Sequence, residues 1–212
     1  MRNNEAIDTL ARLGPVIAVT QFDTVDEAVS VSRALWEGGV RAVEVTLRTP
    51  VALKAIEAVA GLFYDQWVGA GTVVRPGQFQ EVAQAGARFA VSPGFTLSLA
   101  EAAQEQGLPY LPGVMTPTEI LQAQSAGFTR LKFFPAEAIG GPRALRALAG
   151  PFPDVRFCPT GGITPEGVPG YLALPNVMCV GGSWLTPREL IQARDWKAIT
   201  ALARVASELK RA

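Results

Sequence analysis

Two side chains of opposite charge sit inside runs that are otherwise apolar. Lys132 stands in Leu131-Lys132-Phe133-Phe134-Pro135, and Glu44 in Val43-Glu44-Val45-Thr46-Leu47-Arg48. Both runs read as β-strands, in which successive side chains point to opposite faces. Leu131 and Phe133 then share the face that packs against helices, while Lys132 points the other way with Phe134. In the same manner Val43, Val45 and Leu47 oppose Glu44, Thr46 and Arg48. Burial disfavours an ammonium ion and favours the free amine. A free amine at neutral pH attacks a ketone and forms a Schiff base. A carboxylate facing the same space could move protons, directly or through a bound water. Arg48 has the planar fork that suits a carboxylate, whether of a substrate or of Glu44 itself. The pattern alone leaves plainer readings open. Lys132 could reach solvent from a strand end or pair for structure, and Glu44 with Arg48 could be a buried ion pair without chemistry.

Two glycine pairs follow later apolar runs, in Thr160-Gly161-Gly162 and Gly181-Gly182-Ser183. Without a Cβ the backbone approaches an anion closely, and its N–H groups and the Ser183 hydroxyl are donors. One such pair is ordinary turn chemistry, but two after consecutive runs fit a phosphate site. Gly69-Ala70-Gly71-Thr72 also permits close approach, with Thr72 as a donor toward substrate.

Composition narrows the field. The chain has 212 residues, enough for one domain with a sizeable core and short for two. Lys and Arg number 19, as do Asp and Glu, and no basic tract occurs, so nothing here attracts nucleic acid or an anionic membrane. The polar, helix-patterned stretch 1–13 has no signal-peptide core, and no apolar run approaches the roughly 18 to 20 residues of a membrane span. A cytoplasmic enzyme is expected. Histidine is absent, which excludes histidine-based triads and zinc sites; no metal or cofactor is expected. Cys158 and Cys179 lie in apolar segments and read as reduced core residues.

The elements that must hold these residues form a repeat of pattern rather than of letters. Strands are expected near 15–20, 42–47, 67–70, 89–92, 110–112, 131–134, 155–159 and 177–180. Helices fill the gaps near 25–37, 51–62, 77–85, 97–106, 117–125, 142–148, 165–172 and 198–209. Pro76, Pro117, Pro142 and Pro165 suit first helical turns, and Gly38, Gly86, Gly107 and Gly127 suit left-handed caps. Short links between alternating strands and helices imply parallel βαβ units. The expectation is a single-domain α/β fold over 1–212, a (β/α)8 TIM barrel with a short N-terminal helix at 1–13. An open doubly wound sheet is the rival, but no dinucleotide fingerprint follows the first strand. In a barrel, function belongs at the carboxyl ends of the strands, and phosphate is often bound after strands 7 and 8.

Taken together these residues closely resemble the 2-keto-3-deoxy-6-phosphogluconate (KDPG) aldolases, class I aldolases of the Entner–Doudoroff route. The resemblance runs from Gly14-Pro15 to Gly181-Gly182-Ser183-Trp184. It is strongest in Glu44-Val45-Thr46-Leu47-Arg48-Thr49, Gly69-Ala70-Gly71-Thr72-Val73, Ser92-Pro93-Gly94, Lys132-Phe133-Phe134-Pro135-Ala136-Glu137 and Phe157-Cys158-Pro159-Thr160-Gly161-Gly162. The resemblance implies Lys132 as the Schiff-base lysine and Glu44 as the proton-transferring carboxylate. It implies Arg48 and Thr72 on the pyruvyl carboxylate, with Pro93 and Phe134 lining the pocket. Thr160, Gly161, Gly162, Gly181, Gly182 and Ser183 would hold the phosphate. The implied reaction splits KDPG reversibly into pyruvate and glyceraldehyde 3-phosphate, and the implied assembly is a homotrimer.

Some positions depart from the family pattern. Thr20 and Gln21 end the first strand and, if they reach the lumen, would shift the preference for the aldehyde part. Met115 could narrow the pocket, whereas Gln66-Trp67 suits packing or an interface. The 4-hydroxy-2-oxoglutarate (KHG) and galactonate-derived aldolases are the near alternatives. A phosphate-binding epimerase or decarboxylase would need an Asp-x-Lys strand or metal-binding histidines, which are missing. A non-catalytic metabolite-binding module would not need both Lys132 and Glu44.

Overall fold

The apolar runs become strands because both of their faces are covered, which makes them uniformly buried. In the computed structural model, which describes residues 3–63 and 65–210, they are β1 (Val16–Thr20), β2 (Ala42–Thr46), β3 (Trp67–Gly71), β4 (Ala90–Val91), β5 (Tyr110–Leu111), β6 (Gly113–Val114), β7 (Arg130–Phe133), β8 (Arg156–Pro159) and β9 (Val180–Gly182). Every pairing is parallel, in the orders β5-β4-β3-β2-β1-β9 and β6-β7-β8. The two arcs join into one ring. β5 and β6 are a single stave interrupted at Pro112, whose carbonyl accepts the Lys132 N–H at 2.8 Å. On the other side Met178 N–H donates to the Phe157 carbonyl at 2.9 Å, and Thr160 bridges Gly181. The result is a closed eight-stave (β/α)8 barrel.

Helices α1 (Asn3–Arg12), α2 (Val25–Glu37), α3 (Ala52–Leu62), α4 (Gly77–Gln84), α5 (Leu97–Glu105), α6 (Pro117–Ser125), α7 (Gly141–Leu148), α8 (Val168–Leu172), α9 (Arg188–Gln192) and α10 (Trp196–Ser207) complete the fold. Side-chain caps begin several of them: Thr24 accepts the Glu27 N–H, and Thr116 forms a capping box with Glu119 ahead of Pro117. Strand residues of one parity, among them Val43, Val45, Leu131, Phe133 and Phe157, pack against the helices. Each such side chain fully buried contributes about 1.5–3 kcal/mol. Residues of the other parity, Ile17, Phe89, Val91, Leu111 and Cys158, fill the barrel together with Ile7, Leu10 and Ala11 of α1.

Helix α1 closes the amino-terminal end. Asn3 exchanges two hydrogen bonds with the Tyr110 backbone, Asn4 does the same with Gly127 and Thr129, and Asp8 pairs with Arg130. The helix expected over 1–13 is therefore this plug; its first two positions lie outside the described residues. Cys158 and Cys179 are buried in the same apolar filling.

Several expectations need correction. The last strand begins at Val180 rather than ending there, because Val180–Gly182 pair with Val16–Ala18 of β1. Glycine has no strand preference, so only the neighbouring strand reveals it. Gly38 has φ −81°, and Gly39 takes the left-handed turn instead with φ 93°. Pro165 precedes α8, whose first turn holds Pro169. The short helix α9 was not expected.

Candidate active site

The inward parity of β2 and β7 brings Glu44 and Lys132 face to face across the lumen. Lys132 Nζ donates to Glu44 Oε1 at 3.2 Å, and their side chains are only 7% and 4% exposed. Both charges have left water, so each depends on the other: removing one would strand an uncompensated ion. Lys132 Nζ also lies 5.2 Å from the centre of the Phe134 ring, a cation–π arrangement.

Gly71 makes room for this pair. A Cβ there would collide with the Glu44 carboxylate, as one on Gly69 would collide with the Phe89 ring. The close approach read from Gly69-Ala70-Gly71 is thus between protein groups. Thr72, directly after, has φ 60°. A β-branched residue in that region is strained, and such strain collects where a site needs a particular backbone.

Arg48 does not pair with Glu44. Its Nε donates to Thr46 Oγ1 at 3.1 Å, while Thr46 donates to the Thr20 carbonyl and Thr20 to the Glu44 carbonyl. Thr20 is consequently spent on joining β1 to β2, and it has the outward parity of Val16 and Ala18. Its neighbours Val19 and Gln21 face a cavity of about 310 Å³ that Arg48 and Ser183 also line. Val19 is a lining residue that the sequence did not single out. Met115 stands open to solvent at 47% exposure. Gln66 is buried and donates to the Ser32 and Val40 carbonyls, a packing role.

The remaining rim is ordered from below. Ser92 Oγ lies 2.6 Å from Tyr110 Oη and donates to the Gly94 carbonyl, which fixes the turn carrying Pro93. Burial pushes the Tyr110 phenol well above its ordinary range, only partly opposed by the Ser92 hydrogen bond. After β8, Gly161 and Gly162 have φ 104° and 76°, a path closed to most side chains. Gly161 lies against the Phe134 ring, and its carbonyl accepts the Glu137 N–H at 3.1 Å. Glu137 in turn accepts from Tyr171 Oη at 2.6 Å, a support that motif reading missed because Tyr171 is on α8. Thr160 packs on Gly181, and the Trp184 ring covers Gly182.

The twelve expected residues lie on or just after β2, β3, β4, β7, β8 and β9; Lys132 and Glu44 meet inside the barrel, and Arg48 and Ser183 line one cavity. A buried amine beside a buried carboxylate can form and resolve an imine. Two glycine loops and an arginine nearby can receive anionic ends. No group of three or more His, Cys, Asp or Glu able to hold a metal ion occurs among the described residues.

The chain is similar to known proteins along nearly its whole length. The chain is 49% identical over 201 residues to the "KHG/KDPG aldolase" of Escherichia coli K12, covering 95% of this chain and 94% of that one. It is 50% identical over 193 residues to the 2-dehydro-3-deoxy-phosphogluconate aldolase of Dickeya dadantii, covering 91% of each. The KDPG aldolase of Legionella pneumophila, solved with pyruvate captured at low pH as a covalent carbinolamine intermediate, superimposes with a TM-score of 0.92 at 46% identity over 95% of this chain and 98% of that one. The model of the KDPG and KHG aldolases matches residues 7–202, nearly the whole barrel with its plug, and the protein belongs to that family of aldolases.

Proposed function

We propose that the protein is a class I aldolase that reversibly cleaves 2-keto-3-deoxy-6-phosphogluconate to pyruvate and glyceraldehyde 3-phosphate, in the Entner–Doudoroff route. The reading rests on the buried Lys132–Glu44 pair, an amine and a carboxylate 3.2 Å apart inside the barrel. Lys132 attacks the C2 ketone to give a carbinolamine, which loses water to become an iminium. Glu44 takes the C4 hydroxyl proton, through a water where the distance requires it. The C3–C4 bond then breaks, its electrons enter the iminium as an enamine, and the aldehyde leaves. Glu44 returns a proton to C3, and hydrolysis releases pyruvate and Lys132. These proton transfers fall in separate steps, so one carboxylate serves them all.

Arg48 and Thr72 hold the pyruvyl carboxylate, with Pro93 and Phe134 as walls. Thr160, Gly161, Gly162, Gly181, Gly182 and Ser183 hold the phosphate, where backbone N–H groups and a hydroxyl meet the anion. The E. coli relative's double name supports 4-hydroxy-2-oxoglutarate as a second substrate. The whole chain, 1–212, works as one domain. It acts in the cytoplasm, where buried cysteines such as Cys158 and Cys179 stay reduced. It assembles as a homotrimer, a reading supported by exposed Leu97 and Leu121 on a groove of about 690 Å³ between α5 and α6. Sedimentation of the intact protein tests the assembly.

The deciding experiment is borohydride reduction with pyruvate present, followed by peptide mass analysis. The adduct is expected on Lys132; labelling of another lysine, or of none, removes the assignment.

A further inference from the structure

The cavity of about 310 Å³ that holds Arg48 and Ser183 is also lined by Asp23 and Arg188, which have no part in the chemistry above. Arg188, the first residue of α9, reaches across the mouth to the loop after β1. Its Nη2 meets the Asp23 carboxylate, and its Nη1 lies 3.4 Å from Glu27 Oε2. Glu27 has a separate duty, accepting the Asp23 N–H at 2.9 Å while Thr24 caps its own N–H. The Asp23 side chain has no such backbone duty among the described contacts.

The Arg188 and Asp23 side chains are 45% and 51% exposed, so their pairing adds little to folding. The charge it leaves at the mouth matters more. Asp23 brings a negative charge to a rim that must admit an anion, Glu27 stands just behind it, and Arg188 meets both carboxylates. We propose that Arg188 and Asp23 are opposed specificity-determining residues for the phosphorylated end of the substrate. Arg188 masks the carboxylates so that the dianion is accepted, and Asp23 holds that attraction in check. This rests on the reading of the β8 and β9 loops as the phosphate site. In partly solvated surroundings a unit charge lining the same cavity as a bound anion changes that anion's binding roughly three- to tenfold.

The test compares kcat and KM for KDPG and for its unphosphorylated counterpart, 2-keto-3-deoxygluconate, in the wild type, R188A, R188K and D23N. R188A is expected to raise KM for KDPG about three- to tenfold with kcat held, and the effect should shrink as salt screens it. KM for the unphosphorylated compound should stay put, and R188K should recover most of the loss. D23N should move KM for KDPG the opposite way. The pair as a mere strap between loops predicts that R188A and D23N shift KM in the same direction, or shift both substrates alike. Either result overturns the proposal. If R188A does not fold, D23N and R188K decide it by the same signs. A wild type that cleaves both compounds equally well sinks the phosphate reading itself, and this inference with it.

Discussion

Strand β7 carries two cations on its inward face, two residues apart, and each meets a carboxylate from a distant segment. Arg130, at the closed end, grips Asp8 of α1 with both prongs, at 2.7 and 2.8 Å, and adds Thr129 Oγ1 at 2.9 Å. Lys132, toward the open end, makes a single contact of 3.2 Å with Glu44. The first pair is about a quarter exposed and fully engaged; the second is dry and thinly satisfied. A bidentate guanidinium cannot give up its partner cheaply and has no nucleophilic form. An ammonium held by one oxygen can hand over a proton and react. The same strand thus builds a bolt at one end and a reagent at the other.

The strongest way to break this contrast is to replace the reagent pair by neutral groups of similar size. In K132M/E44Q, turnover should fall by about 10⁴-fold or more, as expected when the nucleophile is lost. The unfolding midpoint should equal or exceed that of the wild type, because exchanging a buried ion pair for neutral groups is often stabilising. A dead enzyme that also melts far lower would mean that Lys132–Glu44 is a structural bolt too. Next, E44Q alone should lower kcat about 10²- to 10⁴-fold while KM moves much less, as general acid–base loss does. Single-turnover kinetics would locate the slowed step.

At the closed end, D8N should cost about 1 kcal/mol of unfolding free energy in urea and leave kcat unchanged. A change in kcat would show that the plug tunes the site. The smallest effect concerns the rim after β6, where Glu119 closes the capping box of α6. Burial raises its carboxyl, but the Met115 and Thr116 N–H groups and the Thr116 hydroxyl more than offset this and hold it below its ordinary value. Its folded value being depressed, its contribution is present above the unfolded carboxylate range and is lost as pH falls through the folded value. E119Q should cost about 0.5–1 kcal/mol at neutral pH, and the gap should close on acidification. A gap that widens in acid would contradict the assigned direction.

Much of the rim was legible from alternation. Leu131-Lys132-Phe133 and Val43-Glu44-Val45 state which side chains turn inward, since a two-residue period admits little else in a strand covered by helices. Positions beyond the strands were less legible. Thr20 would shift the aldehyde preference if it reached the lumen, yet its hydroxyl donates to the Glu44 carbonyl, a bond set by the register of β1 on β2. Val180–Gly182 became a strand only because β1 offers it hydrogen bonds. Asp23 and Arg188 are 165 positions apart and carry no joint signal in the chain.

What the sequence determined by itself is the set of inward side chains and the alternation that makes a barrel, because both follow from periodicity within a single element. The partner each inward side chain meets was decided by tertiary structure. Glu44 could have paired with Arg48 four residues away; it pairs with Lys132, 88 positions on, because closing the ring sets β2 and β7 opposite each other and Gly71 leaves space for the carboxylate. Pairing across a barrel depends on strand order and register, which no local pattern encodes.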